Sequence, residues 1–117
     1  MAELIDTSQE EKKEKKADRR RERELSDIRR ILQLPEGRRF LWRVLEKGRV
    51  FQDAYAGESI HGTNYNLGRQ SVSRDFLNDI LEADSRGLIQ MQEEQKSEQK
   101  SEEVQEKIEK DASTDLT

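Results

Sequence analysis

The chain has one histidine, His61, which stands in a glycine-rich stretch close to Ser59 and Asp53. A serine nucleophile, a histidine base and an orienting aspartate are the parts of a hydrolytic triad. No nucleophile motif surrounds Ser59, however, and nothing in the spacing brings the three side chains together. We therefore interpret His61 as a solvated loop histidine and expect no catalytic residue.

Sites for metals, cofactors and phosphates also lack their characteristic residues. The chain contains no cysteine, and one histidine among scattered carboxylates gives no recognisable spacing of metal ligands. Gly57, Gly62 and Gly68 fit neither of the glycine patterns that hold phosphates at the start of a helix. The sequence predicts a protein that is not an enzyme, with no metal, no cofactor and no small-molecule substrate.

Arginine and lysine are the most numerous candidates for a binding function. Residues 12–23 carry eight bases and three acids, whereas residues 93–117 carry nine acids and four bases, so the net charge of −4 hides a basic first half and an acidic end. Clustered arginine and lysine side chains attract nucleic-acid phosphates without recognising the nucleotide sequence. These residues are more simply the solvated side of a helix. The alternative nucleic-acid-binding set is Arg19, Arg20, Arg21, Arg23, Arg29, Arg30, Arg39, Arg43 and Lys47.

A second set of residues could contact a protein partner. Arg38 and Trp42 are four residues apart, which permits a contact between guanidinium and indole, although Trp42 is more simply a core residue. Arg69 interrupts an apolar stripe, where its aliphatic stem can cover the core while its charge meets water or a partner. The candidate partner-binding residues are Arg38, Arg39, Trp42, Arg43, Lys47 and Arg69.

The elements that carry these residues are expected to be helices. A first helix runs from about Gln9 to Gln33, and a second starts at Pro35 and ends at Gly48, a suitable C′ residue. A third is predicted from about Asn64 to Ala83 with Thr63 as N-cap, and a short fourth near Ser85. Gly68, near the edge of the third helix's apolar stripe, would permit close approach of another helix. The apolar side chains expected to face the core are Leu25, Ile28, Ile31, Leu32, Phe40, Leu41, Trp42, Val44, Leu45, Tyr65, Val72, Phe76, Leu77, Ile80, Ala83, Leu88, Ile89 and Met91.

Composition divides the chain into three parts. Charged residues make up 41% and hydrophobic residues 31%, so one core cannot organise the whole chain. We predict an all-α protein: a charged helical arm (1–24), a small domain of three to four helices (25–92), and an acidic low-complexity tail (93–117) that is disordered or transiently helical. No apolar run approaches the length of a membrane span, and we expect no membrane partner.

The segment 27–51 is similar to a family of small tailed-bacteriophage proteins typified by a Bordetella phage protein. The shared hallmark is a helix that ends before the run Pro35, Glu36, Gly37, Arg38, Arg39, Phe40, Leu41 and Trp42, followed by Val44, Leu45, Gly48, Val50 and Phe51. Weaker similarity extends over about residues 25–92. This chain departs from the family at one position: Leu34 stands before the proline, where the family usually has a turn-forming residue.

The resemblance implies a protein encoded with phage head and portal components. It implies no catalytic residues. The expected function is that of a virion-associated structural or assembly protein that docks on a portal, internal core or capsid-associated protein, with a scaffold-like assembly chaperone as an alternative. Self-association is a further expectation, because so small a core seldom supplies more than about 3–5 kcal/mol. The expected locations are the virion and, during assembly, the cytoplasm of the host bacterium.

Overall fold

The chain folds into helices along almost its whole length. The computed structural model describes the backbone of residues 2–115 and the side chains of residues 7–114. Within that range it forms four α-helices and no strands, namely α1 (Ala2–Leu32), α2 (Pro35–Lys47), α3 (Ile60–Ala83) and α4 (Gly87–Asp115). The predicted all-α fold with about four helices is confirmed. Met1, Leu116 and Thr117, which belong to the predicted arm and tail, lie outside the described residues.

The core lies where the end of α1, the whole of α2, the second half of α3 and the start of α4 meet. Apolar residues recur there at helical spacing, so each helix turns one narrow stripe inward. The buried cluster consists of Leu32, Leu41, Leu45, Ile80 and Met91, with Ile28, Trp42, Val50, Leu77 and Leu88 packed around it. Such a core is small for a chain of 117 residues.

Several side chains predicted to face the core are exposed instead. They are Ile31, Phe40, Tyr65, Val72, Phe76 and Ile89. Ile89 shows the geometric reason, because it lies about 200° around the helix from the buried Met91 and cannot share its face. In α2, Phe40 is exposed, and the side that is buried carries Arg38 together with Leu41 and Leu45.

The bounds of α2 follow from Pro35 and Gly48. Leu34 is extended and Pro35 takes the first turn, so α2 starts as predicted, without a side-chain cap. Gly48 does not adopt the left-handed conformation expected of a C′ glycine; Arg49 does, with φ 55°. Gly48 is required for its size, since a Cβ there would lie 1.5 Å from the Oγ of Ser73.

Helix α3 begins earlier than predicted. Ser59, not Thr63, is its N-cap, and its side chain accepts a hydrogen bond from the backbone N of Gly62 at 3.0 Å. Thr63 Oγ1 instead accepts from the backbone N of Ala56, which ties the preceding loop to the helix. His61 therefore lies in the first turn of α3 and not in a loop. Its side chain is exposed there.

Helix α4 continues far beyond the short helix predicted. It reaches Asp115, through the segment expected to be disordered or transiently helical. Every described side chain of residues 96–114 is exposed, as are those of residues 7–20 in α1. The helical parts at both ends of the chain are therefore supported by contacts within their own helix rather than by the core.

Helices α1 and α4 give the molecule its length. The radius of gyration is 22.0 Å, whereas a compact domain of 100 residues has about 13 Å. At about 1.5 Å per residue α1 is roughly 46 Å long and α4 roughly 43 Å. The end of α1 and the start of α4 meet where Leu32 packs over Gly87. Because the longest dimension is 90 Å, the two helices leave the domain in nearly opposite directions.

Candidate functional site

Helix α3 turns a polar face toward the domain. Asn66, Gln70 and Ser73 are spaced four and three residues apart, lie on one side of the helix and are all buried. The hydroxyl of Ser73 donates to the backbone O of Val44 at 3.1 Å, near the end of α2. Polar side chains therefore hold the first half of α3 against the domain.

The two buried amides bind the backbone of the loop between α2 and α3. Nε2 of Gln70 donates to the backbone O of Arg49 at 2.9 Å and of Gln52 at 2.6 Å. Nδ2 of Asn66 donates to the backbone O of Ala54 at 3.1 Å. Carbonyl groups that are partly or fully removed from water need donors, and this irregular loop obtains them from α3. The loop is thereby fixed to the helix.

Three apolar side chains from the middle of α3 are left facing outward. The exposed fraction is 65% for Tyr65, 59% for Val72 and 41% for Phe76. The prediction that these three form the inner stripe is wrong, because Asn66, Gln70 and Ser73 occupy that side; for Ile80 the prediction of burial is correct.

Gly68 lies on the same outward side. No atom stands within 4 Å of a Cβ built on it, so the close helix approach that it was predicted to permit is not made within the described chain. A glycine inside a helix costs about 1 kcal/mol relative to alanine, and nothing in its own domain requires this one. We refer to Tyr65, Gly68, Val72 and Phe76 as the α3 apolar face.

Arg69 stands beside the α3 apolar face. Its guanidinium lies 4.7 Å from the centroid of the Tyr65 ring, and it donates to the side-chain oxygen of Asn66. Its Nε is buried without a hydrogen-bond partner. The arginine thus joins the exposed aromatic ring to the buried polar face, and its charge remains at the margin of the exposed surface.

Arg38, predicted to contact a partner, is an internal residue. It is 9% exposed. Its Nε lies 2.8 Å from a carboxylate oxygen of Glu94, and its Nη1 donates to the backbone O of Leu32 at 2.7 Å. One guanidinium therefore links α2 to the end of α1 and to the start of α4, which leaves it unable to serve as a free contact residue.

Trp42 is half-buried rather than buried, and it does not pair with Arg38. The indole N–H donates to a carboxylate oxygen of Glu46 at 2.6 Å. The ring is stacked on Phe51, with 5.8 Å between centroids. Trp42 therefore packs at the margin of the core and is not fully buried.

The other basic residues of α2 point away from the core. Arg39, Arg43 and Lys47 are exposed, and Arg43 lies over the ring of Phe40 at 5.7 Å. Arg39 and Arg43 also line an open groove between α2 and α4, which Glu98 borders. Acidic and basic groups are thus mixed along this groove.

The arginines of α1 fall into two groups. Arg21 forms ion pairs with Asp79 and Glu82, both at 2.7 Å, and these carboxylates raise the pKa of Arg21 above its ordinary value. Arg29 donates to the backbone O of Ala83 at 2.9 Å. The exposed group consists of Arg19, Arg20, Arg23 and Arg30. The nucleic-acid set therefore does not form one free surface, since two of its members hold α1 to α3.

The residues considered for catalysis have other contacts. Ser59 caps α3, and Asp53 accepts a hydrogen bond from the backbone N of Tyr55 at 3.1 Å. No hydrogen bond in the described structure joins either to His61.

Among the described residues no group of three or more His, Cys, Asp or Glu side chains is placed to hold a metal ion. None of the helices described is both long and apolar enough to span a membrane.

The inverted polarity of α3 is the feature that the sequence interpretation missed. The spacing of Asn66, Gln70 and Ser73 could have indicated it, since these residues repeat the helical period as regularly as the apolar residues do.

Comparison with protein families, curated proteins and solved structures finds no match to this chain.

Proposed function

We propose that this protein is a non-enzymatic structural or assembly protein that docks on a larger protein through the α3 apolar face. The observation that carries the proposal is the exposure of Tyr65, Val72 and Phe76 on a helix whose other side is already satisfied by hydrogen bonds. Aromatic side chains on a fixed helix are typical anchors of protein interfaces.

The α3 apolar face has unburied surface that docking would cover. Complete burial of one large apolar side chain is worth about 1.5–3 kcal/mol. Tyr65, Val72 and Phe76 are each roughly half-exposed, so covering them supplies about 2–4 kcal/mol at that rate. Gly68 supports the same use, because a partner helix can approach the backbone closely where there is no Cβ.

The nature of the partner is suggested by the similarity of residues 27–51 to small tailed-phage proteins. On that basis the partner is a portal, internal core or capsid-associated protein, and the protein resides in the virion after assembly in the host cytoplasm. The small core and the long exposed helices support a component that is completed by a larger neighbour.

Two lysine substitutions on α3 test the docking surface. Val72→Lys places a charge in the α3 apolar face, whereas Leu67→Lys places the same charge about 140° away around the same helix, at a side chain that is 50% exposed. We expect Val72→Lys to remain helical but to be lost from purified DNA-filled particles measured by mass spectrometry. Leu67→Lys should be retained.

Three outcomes would change the proposal. Retention of Val72→Lys at the wild-type level would remove the α3 apolar face as the docking surface. Persistent absence of the unaltered protein from filled particles would remove the virion component. Presence in empty precursors but not in filled heads would indicate an assembly chaperone.

Nucleic-acid binding is the alternative that the exposed bases Arg19, Arg20, Arg23, Arg39 and Arg43 support. Mobility shifts with the full chain at about 50 and about 200 mM salt test it, since six or so phosphate contacts predict a roughly thousand-fold loss of affinity across that range. Absence of a shift at the lower salt would remove this alternative.

A further inference from the structure

Four of the eight bases in residues 12–23 form a stripe along one side of the arm. Lys12, Lys16, Arg19 and Arg23 are spaced four, three and four residues apart, and all four are exposed. At about 100° per residue this basic stripe lies nearly opposite the buried Leu25, which faces the domain. The acids of the arm lie mostly on other sides, so the stripe presents an uninterrupted row of positive charge about 16 Å long.

Helix α4 carries a polar and acidic stripe with the same spacing. Glu98, Glu102, Gln105 and Glu109 are again four, three and four residues apart and exposed. They continue the side of α4 that bears the buried Met91. Where α4 leaves the domain, this side therefore changes from apolar to acidic and remains uncovered.

The two stripes do not meet within one chain. Helices α1 and α4 leave the domain in nearly opposite directions, and no ion pair joins the stripes in the part of the structure with described side chains. We propose that the basic stripe of α1 binds the acidic stripe of α4 in a second copy of this chain. The spacing is the same read in either direction, so the rows match whether the two helices are parallel or antiparallel.

Contacts inside the domain show the chemistry that this pairing would use. Arg21 of α1 binds Asp79 and Glu82 of α3, and Arg38 of α2 binds Glu94, which lies one turn before Glu98 on the same side of α4. The domain thus already joins its helices through arginine and carboxylate. The two stripes continue that pattern beyond the domain: Glu98 borders Arg39 and Arg43 of its own chain, but no stripe residue forms an ion pair in the part of the structure with described side chains.

The geometry makes the assembly open and salt-dependent. Each copy offers its basic and acidic stripes at opposite ends, so each binds two different neighbours and the contact is head-to-tail. Exposed ion pairs are individually weak and are screened by salt. We therefore expect the weight-average mass to rise with protein concentration at low salt and to return to the monomer at high salt.

Charge reversal with matched controls tests the pairing in the full chain by sedimentation velocity. Arg19→Glu/Arg23→Glu and Glu98→Lys/Glu102→Lys each place like charges opposite one another, so each variant alone should be monomeric at low salt. The controls Lys13→Glu/Lys15→Glu and Glu93→Lys/Glu103→Lys change the net charge equally at exposed residues outside the two stripes, and should still associate. Circular dichroism confirms that all four variants remain helical.

The decisive measurement is an equimolar mixture of the two stripe variants. The charge-reversed stripe of α1 in one variant then meets the charge-reversed stripe of α4 in the other. The two unaltered stripes are also complementary to each other, so association should return to the wild-type level. A mixture that stays monomeric, controls that lose association equally, or a wild-type chain that is monomeric at low salt would overturn the proposal. If that monomeric chain binds duplex DNA through the basic stripe, the ligand of the stripe is nucleic acid instead. Docking through the α3 apolar face is unaffected by either result, because it uses another surface.

Discussion

Replacement of Gly68 by alanine should stabilise the domain and weaken its docking. Gly68 lies within α3, its backbone does not require a left-handed conformation, and a Cβ there would meet no atom within 4 Å. The substitution therefore removes only the free-energy cost of having glycine in place of alanine inside a helix. That cost is about 0.8–1 kcal/mol in an exposed helix interior.

The expected shift is large enough to measure. For a domain of 60–100 residues, about 1 kcal/mol corresponds to a rise of roughly 4–8 °C in Tm. Thermal unfolding followed by near-ultraviolet circular dichroism is the preferred assay, because it reports the environment of Trp42 and excludes the signal of the exposed helical ends. Denaturant unfolding at constant m-value gives the free energy independently.

Gly48→Ala is the matched control for this prediction. The same added methyl group would there overlap the side chain of Ser73, so we expect a loss of stability instead of a gain. If Gly68→Ala is neutral or destabilising, its surroundings in solution differ from those described. If it is stabilising and is incorporated into particles as well as the wild type, a partner does not approach the α3 backbone closely.

Three further predictions concern the domain itself. Trp42→Ala should cost about 2 kcal/mol, near half of the ~3–5 kcal/mol for a fully buried aromatic, because the side chain is half-buried; urea unfolding measures it, and a cost in the full range would show a buried ring. Arg38→Met should cost about 1–3 kcal/mol by leaving a buried carbonyl without its donor, whereas Arg39→Met should change stability by less than about 0.5 kcal/mol in the same assay. Ser59→Ala should cost about 1 kcal/mol as the loss of an N-cap; an unchanged denaturation midpoint would show that the helix starts elsewhere.

Local chemistry accounts for the elements that the sequence predicted well. Helix α2 starts at Pro35 because proline has a helical φ and needs no hydrogen bond from its nitrogen in the first turn. The burial of Leu41 and Leu45 follows from helical spacing in the most amphipathic segment. Each of these features depends on residues within one or two turns, so the sequence alone was sufficient.

The candidate docking site could not be predicted in the same way. Both sides of α3 repeat with the helical period, one apolar and one polar, and the usual preference for apolar burial selected the wrong one. The loop decided the orientation, since its buried carbonyls take their donors from Gln70 and Asn66. Those partners lie 12 to 21 residues apart in the chain, beyond the reach of any local pattern.

Propensity, proline and spacing act locally, so the sequence was sufficient for the all-α class, the position of α2 and the exposure of the described part of the charged arm. The tertiary structure decided which side of each helix is covered. It turned Arg38 inward to join three helices and left Phe76 outside, because a buried polar group must find partners wherever the chain brings them. It also directed α1 and α4 away from each other, because their angle depends on the packing of Leu32 against Gly87, two residues that are 55 positions apart in the chain.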